Sequence, residues 1–253
     1  LEGNSDSFRM KLSFLPNGNC VILPNINGRG YGFFKITEGE SSGLWSVLRS
    51  SEDEVLKGSL LITLYENLRW KTISPQGFRE EMLAYLPNES NSLLFSMALS
   101  YLGDCQRIFP SDSCPLEEAL WKIVTTNPVS QHRLQAFRLY RSIADSEEAV
   151  QRLYTLWQER KAPKDCTLSE SDYIGLSYML AMHLPEKADK IIATQLSRIQ
   201  NPDRKKEYQF ISPSVSPRKA ERDSVFASLL IAGNRRVEPW ASSALANLNH
   251  RLR

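Results

Sequence analysis

The sequence predicts a mostly α-helical fold, an irregular HEAT-like or α-superhelical array of helical hairpins preceded by a short antiparallel β segment. Two observations favour the array: apolar residues recur at three-to-four spacing after residue 52, and the connections between these stretches are short. A third favours the β segment, because residues 1–36 alone combine β-branched or alternating runs with Gly-containing turns. No sequence repeat accompanies the helices, so the array is expected to be irregular.

The expected β segment consists of three short runs. Residues 8–15 alternate apolar and polar positions, residues 20–25 are rich in β-branched side chains, and residues 31–36 are aromatic between glycines. Asn27-Gly28 is a dipeptide that tolerates the positive φ angles of a tight turn. The last two runs are therefore predicted to pair as a hairpin, with Asn25, Gly28, Gly30 and Tyr31 as its structural residues.

Amphipathic spacing and start signals such as Ser74-Pro75 place the helices. The predicted helices span residues 52–70, 74–87, 90–109, 115–126, 128–143, 146–160, 169–183, 185–200, 216–231 and 237–250. Residues 201–222 carry three prolines and several charges. This stretch is predicted to be a long loop between two helices.

Composition excludes some functions. The chain has 253 residues, with 31 Lys and Arg against 29 Asp and Glu, so its net charge of +2 gives no reason to expect a nucleic-acid partner. No apolar run is long enough to cross a bilayer. The N-terminus lacks Met and a signal-type apolar core, which is typical of an internal fragment and leaves a cytoplasmic or a bacterial envelope location open.

Motifs for catalysis or metal binding are missing from the sequence. The four cysteines have no CxxC spacing, and the three histidines are far apart and form no HExxH pair, so we expect no metal site and no cofactor in this chain. There is no G-x-S-x-G elbow, and the "GRGYG" segment leads into a predicted strand and not into a helix. No catalytic residue is predicted.

Three stretches carry a family resemblance: residues 22–36 ("ILPNINGRGYGFFKI"), 199–216 and 222–253. Together they resemble the C-terminal region of the gluzincin zinc aminopeptidase family, the group that includes aminopeptidase N and the endoplasmic-reticulum aminopeptidases. The resemblance covers almost the whole chain. Its strongest signatures are Asn201, Pro202, Asp203 and Arg204, then Asn234, Arg235, Glu238, Pro239 and Trp240, and the closing "LNHRLR".

The resemblance implies an architecture and an accessory role. Residues 1–40 would be the last strands of a small β-sandwich domain, and residues 41–253 a helical bowl or lid domain truncated at its end. Such a domain closes over the catalytic domain, encloses a peptide chamber and shapes substrate access. Its partners would be the catalytic and β-sandwich domains of the same polypeptide and peptide substrates. Zinc would belong to the catalytic domain of the parent enzyme.

Three arginines are candidates for binding the terminal carboxylate of a peptide: Arg204, Arg235 and Arg236. Structural roles are the alternative for residues near the last helix. Arg235 and Glu238 are also expected to cap and pair locally before the last helix, and Trp240 is expected to be a packing anchor. The alternative for the whole chain is a HEAT-like scaffold that binds a protein partner with no link to peptidase activity.

Overall fold

The structure, a computed structural model, describes residues 21–26, 29–30 and 32–253. Helical residues make up 73% of this part, which confirms the all-α class. Twelve α-helices are described: α1 (Glu38–Ser50), α2 (Glu54–Arg69), α3 (Pro75–Tyr85), α4 (Ser92–Ile108), α5 (Cys114–Thr126), α6 (Ser130–Ile143), α7 (Glu147–Glu159), α8 (Glu170–His183), α9 (Ala188–Arg198), α10 (Pro202–Ile211), α11 (Lys219–Leu229) and α12 (Glu238–Leu248). None of these helices is long and apolar enough to cross a membrane.

The prediction of an antiparallel β segment is wrong for the residues that the structure describes. Residues 24–26 form a turn, whereas residues 21–23 and 32–36 are irregular, with no strand in any of these ranges. The physical reason is a side chain of α2: Asn67 accepts a hydrogen bond from the Ile36 N–H (2.9 Å) and donates one to the Phe34 carbonyl (2.8 Å). These backbone groups therefore need no neighbouring strand.

Part of the predicted hairpin lies outside the described residues: the run at 8–15, the Asn27-Gly28 turn and Tyr31. Asn25 and Gly30 are described, and they do form a structural motif. The Asn25 side chain accepts from the Gly30 N–H (2.6 Å) and donates to the Gly30 carbonyl (3.2 Å), which closes the loop without strands. A Cβ on Gly30 would lie 2.8 Å from Asn25 Oδ1, so the close approach requires glycine.

Two helices lie where the sequence analysis did not place them. Helix α1 begins after a capping box in which Thr37 and Glu40 bind each other's backbone N–H groups. Helix α10 occupies the first half of residues 201–222, so the prediction of one long loop there is wrong. Asn201 caps α10 through the N–H groups of Asp203 (2.9 Å) and Arg204 (3.1 Å), and Pro202 is its first residue.

The described residues fall into two compact units, one ending at Glu81 and the other beginning at Met82. The boundary predicted between residues 40 and 41 lies inside α1. Within the second unit, α4 packs on α6 and α6 on α8, so helices two apart in sequence are neighbours. Helix α6 also packs on α5, and α8 packs on both α7 and α9. Helix α12 contacts both α10 and α11.

A buried histidine ends α8. His183 Nδ1 lies 4.0 Å from Asp145 Oδ1, and its side chain is 8% exposed. The pKa of His183 is lowered to about 4, mainly by burial and in smaller part by Arg251 and His250, while Asp145 and Glu117 act in the opposite direction. His183 is therefore neutral in the folded protein at physiological pH.

This lowered pKa predicts a loss of stability in mild acid. An unfolded histidine binds a proton near pH 6.5, whereas folded His183 does so only near pH 4. The contribution of His183 to the free energy of unfolding is thus independent of pH above pH 6.5. Between about pH 6.5 and 4 the free energy of unfolding falls by up to about 3 kcal/mol. Urea unfolding at several pH values should show a shallower fall for His183→Gln. An unchanged slope in this variant would contradict the assignment.

Candidate functional site

A pocket of about 340 Å³ lies between three helices of the second unit. Helix α8 contributes residues 171, 174, 175 and 178, which share one helical face because they are three or four positions apart. Helix α10 contributes residues 204, 207, 208 and 211 with the same spacing. Helix α12 closes the pocket with Ser243, Ala246 and Asn247. The site therefore requires helices that are far apart in sequence.

Tyr178 lines this pocket and carries a buried hydroxyl. Its ring stacks on Tyr208 with 5.0 Å between centroids, while the Tyr208 hydroxyl is hydrogen-bonded to Ser177 Oγ at 2.9 Å. The Tyr178 hydroxyl is buried and has no hydrogen-bond partner among the described residues. Burial, then the nearby Tyr208 and Glu207, raise the pKa of Tyr178, so the phenol keeps its proton. It is available as a hydrogen-bond donor.

Opposite charges line the α10 side of the pocket. Arg204 Nη1 donates to Glu170 Oε1 at 3.3 Å, and the Arg204 side chain remains 44% exposed. Glu207 is one helical turn away and only half-buried, yet it makes no ion pair or hydrogen bond within the described part of the chain. The remaining N–H groups of Arg204 and the carboxylate of Glu207 are thus both open to a ligand.

Gly175 lets a second guanidinium group approach α8. A Cβ on Gly175 would lie 2.5 Å from Arg141 Nη1, so only glycine permits this contact. Arg141 donates to the Asp172 carbonyl at 3.2 Å and lies 3.9 Å from the Asp172 carboxylate, which is already held by Arg138. Burial lowers the pKa of Arg141. Arg141, a residue of α6, therefore places a partly buried positive charge against α8 beside the pocket wall.

The other two predicted arginines do not line this pocket. Arg235 donates to the Leu229 carbonyl and so caps the end of α11, but no ion pair with Glu238 is found among the described residues. Asn234 supports the same helix end by donating to the Ser228 carbonyl at 2.9 Å. Arg236 is exposed. Of the three candidates, Arg204 alone joins other polar side chains in a pocket.

The segment that opens α12 has a structural role. Glu238 and Pro239 are its first two residues, where a carboxylate and a proline suit the helix N-terminus. Trp240 lies 5.8 Å from Phe210, centroid to centroid, so it packs as an anchor on α10. A second, more open pocket of about 560 Å³ is bordered by Phe210, Val225 and the α10–α11 connection.

Sequence reasoning identified Arg204 and missed Tyr178 and Glu207. In the sequence, these two residues are marked only by lying three or four positions from other residues on one helical face. The same spacing is typical of ordinary core packing, so it does not indicate a site. Within the described ranges, no three His, Cys, Asp or Glu side chains are grouped closely enough to hold a metal ion. Comparison of the chain with models of protein families and with curated proteins finds no match in either case.

Proposed function

We propose that this chain is the non-catalytic helical domain of a zinc-dependent aminopeptidase. In this proposal it closes over the catalytic domain, encloses the peptide chamber and limits which peptides enter. The sequence resemblance in residues 22–36, 199–216 and 222–253 supplies the family. Zinc chemistry and peptide-bond hydrolysis would belong to the catalytic domain, because this chain carries no HExxH motif.

The observation that carries the proposal is the packing of helices two apart in sequence, α4 on α6 and α6 on α8. We interpret this order as an irregular HEAT-like array in which even-numbered helices form one layer and odd-numbered helices the other. A wall of packed helices excludes folded proteins and bulk water from a chamber but admits flexible peptides. The pocket between α8, α10 and α12 then gives this wall a ligand-binding position.

Adding the chain in trans to a gluzincin aminopeptidase that lacks its own helical domain tests the proposal. We expect association by analytical ultracentrifugation and altered turnover of peptides of ten or so residues, with little change for a single-residue reporter substrate. Bovine serum albumin at the same concentration is the control for nonspecific effects. Absence of association together with unchanged peptide turnover would contradict the lid proposal.

One observation favours the alternative of a protein-binding scaffold. Phe226, Leu230 and Ile231 are large apolar side chains that are 55%, 70% and 61% exposed. These residues lie on α11 and just after it, away from the polar pocket. If Phe226→Ser abolishes association with the catalytic part, this face docks on it; if association persists, the face does not dock there and remains free for the scaffold role.

A further inference from the structure

We infer that the pocket between α8, α10 and α12 binds a free α-amino acid with an apolar side chain. The ligand's carboxylate would accept hydrogen bonds from Arg204 and Tyr178, and its ammonium group would pair with Glu207. If the proposed function holds, the bound amino acid is a product released by the peptidase. The binding site itself does not depend on that function.

The charges along one side of the pocket suit a zwitterion. A site for a simple anion would present donors alone, but this pocket presents Arg204 and the unpaired carboxylate of Glu207 one helical turn apart. A zwitterion carries the complementary pair of charges at a similarly short separation. Its carboxylate would bind the N–H groups of Arg204 that Glu170 does not use, and its ammonium group would pair with the free carboxylate of Glu207.

The Tyr178 hydroxyl is a buried donor with no acceptor among the described residues. A buried hydroxyl without a partner is costly, and this one belongs to a residue that lines the pocket. Because the hydroxyl is protonated, the partner it needs is a hydrogen-bond acceptor such as a carboxylate oxygen. Asn247 adds an acceptor on the opposite side, because its Nδ2 already donates to Ser214 Oγ (3.0 Å) and its Oδ1 remains for an ammonium N–H.

The volume of the pocket and its apolar wall suit a small ligand. A volume of about 340 Å³ lies at the lower end of the range for small-molecule pockets, roughly 300 to 1,000 Å³. Ile174, Ile211 and Ala246 provide an apolar wall beside the polar groups. These dimensions and this lining suit a single amino acid such as leucine. The C-terminal residue of a longer peptide has a carboxylate but no ammonium group for Glu207.

Isothermal titration calorimetry of the full 253-residue chain with three probes tests the inference. L-leucine should bind, whereas N-acetyl-leucine, which lacks the ammonium group, and leucinamide, which lacks the carboxylate, should each bind at least about tenfold more weakly, as expected for loss of one charged hydrogen bond. Failure of L-leucine to bind at 10 mM would overturn the inference. Equal binding of N-acetyl-leucine would also overturn it, because the pocket would then recognise a carboxylate only.

Three variants locate the site. Tyr178→Phe keeps the stacked ring and should weaken leucine about tenfold without lowering Tm, because the hydroxyl it removes has no partner in the free protein. Glu207→Gln should weaken leucine but leave N-acetyl-leucine unchanged. Glu186→Gln, on the surface outside the pocket, is the matched control and should change neither. Unchanged leucine affinity in both pocket variants would place the ligand elsewhere.

The two proposals can fail separately. Leucine binding without association in trans would leave the amino-acid site standing and remove the lid proposal. Association in trans without leucine binding would support the lid proposal and remove the amino-acid site.

Discussion

Replacing Asp172 by alanine is expected to lower the free energy of unfolding by about 3 kcal/mol. The Asp172 carboxylate is 5% exposed and accepts two hydrogen bonds from Arg138, at 2.8 and 3.2 Å. It also accepts from the backbone N–H (3.0 Å) and the hydroxyl (2.7 Å) of Ser169, and so closes the cap of α8. Its loss would leave the partly buried Arg141 without its nearest carboxylate.

Urea unfolding followed by circular dichroism measures this effect, and Asp189→Ala is a matched control. Like Asp172, Asp189 accepts two hydrogen bonds from one arginine. Here the donors are both terminal nitrogens of Arg218, at 2.8 and 2.9 Å, and the pair is on the surface. The control should change stability little because solvent screens exposed pairs. In the double variant Asp172→Ala/Arg141→Leu, part of the lost stability should return. Equal effects of Asp172→Ala and Asp189→Ala would contradict the account of this cluster.

Replacing Asn67 by leucine should destabilise the first unit by about 3 kcal/mol. The Asn67 side chain is fully buried and makes four hydrogen bonds. Two of them bind the backbone of Phe34 and Ile36, and the others bind Thr63 and Thr72. Leucine has a similar volume but would leave the Ile36 N–H and the Phe34 carbonyl unpaired.

Hydrogen exchange provides the local readout for Asn67→Leu. The Ile36 amide should exchange at least tenfold faster in the variant, together with the amides of α1. Asn88→Leu is the matched control, because Asn88 is exposed and makes one long hydrogen bond to the Ala84 carbonyl, at 3.4 Å. If the Ile36 amide exchanges at the same rate in both variants, Asn67 does not hold this segment.

The helical class could be predicted because apolar periodicity is a local property of the sequence, as residues 54–69 illustrate. Helices α1 and α10 were not predicted, although the sequence contains a local start signal for each. Thr37 and Glu40 have the spacing of a capping box, and Asn201-Pro202 is a helix start signal. The β segment failed for a non-local reason: Asn67, some thirty residues away, binds the backbone groups that a strand would otherwise pair.

The candidate site was less predictable than the fold. Arg204 was identified through a family resemblance, and the placement of Arg235 at the end of α11 matches the capping alternative. Tyr178 and Glu207 become neighbours only when α8 and α10 pack together. No residue pattern within a single helix reveals that a tyrosine hydroxyl will be buried without a partner.

The most direct test of the central claim is made on the native polypeptide that contains this sequence. Antibodies raised against the 253-residue chain can isolate it from its source for measurement of bound zinc and of aminopeptidase activity. The account predicts one zinc per polypeptide and chelator-sensitive removal of N-terminal residues from flexible peptides. A zinc-free polypeptide without peptidase activity would contradict the account.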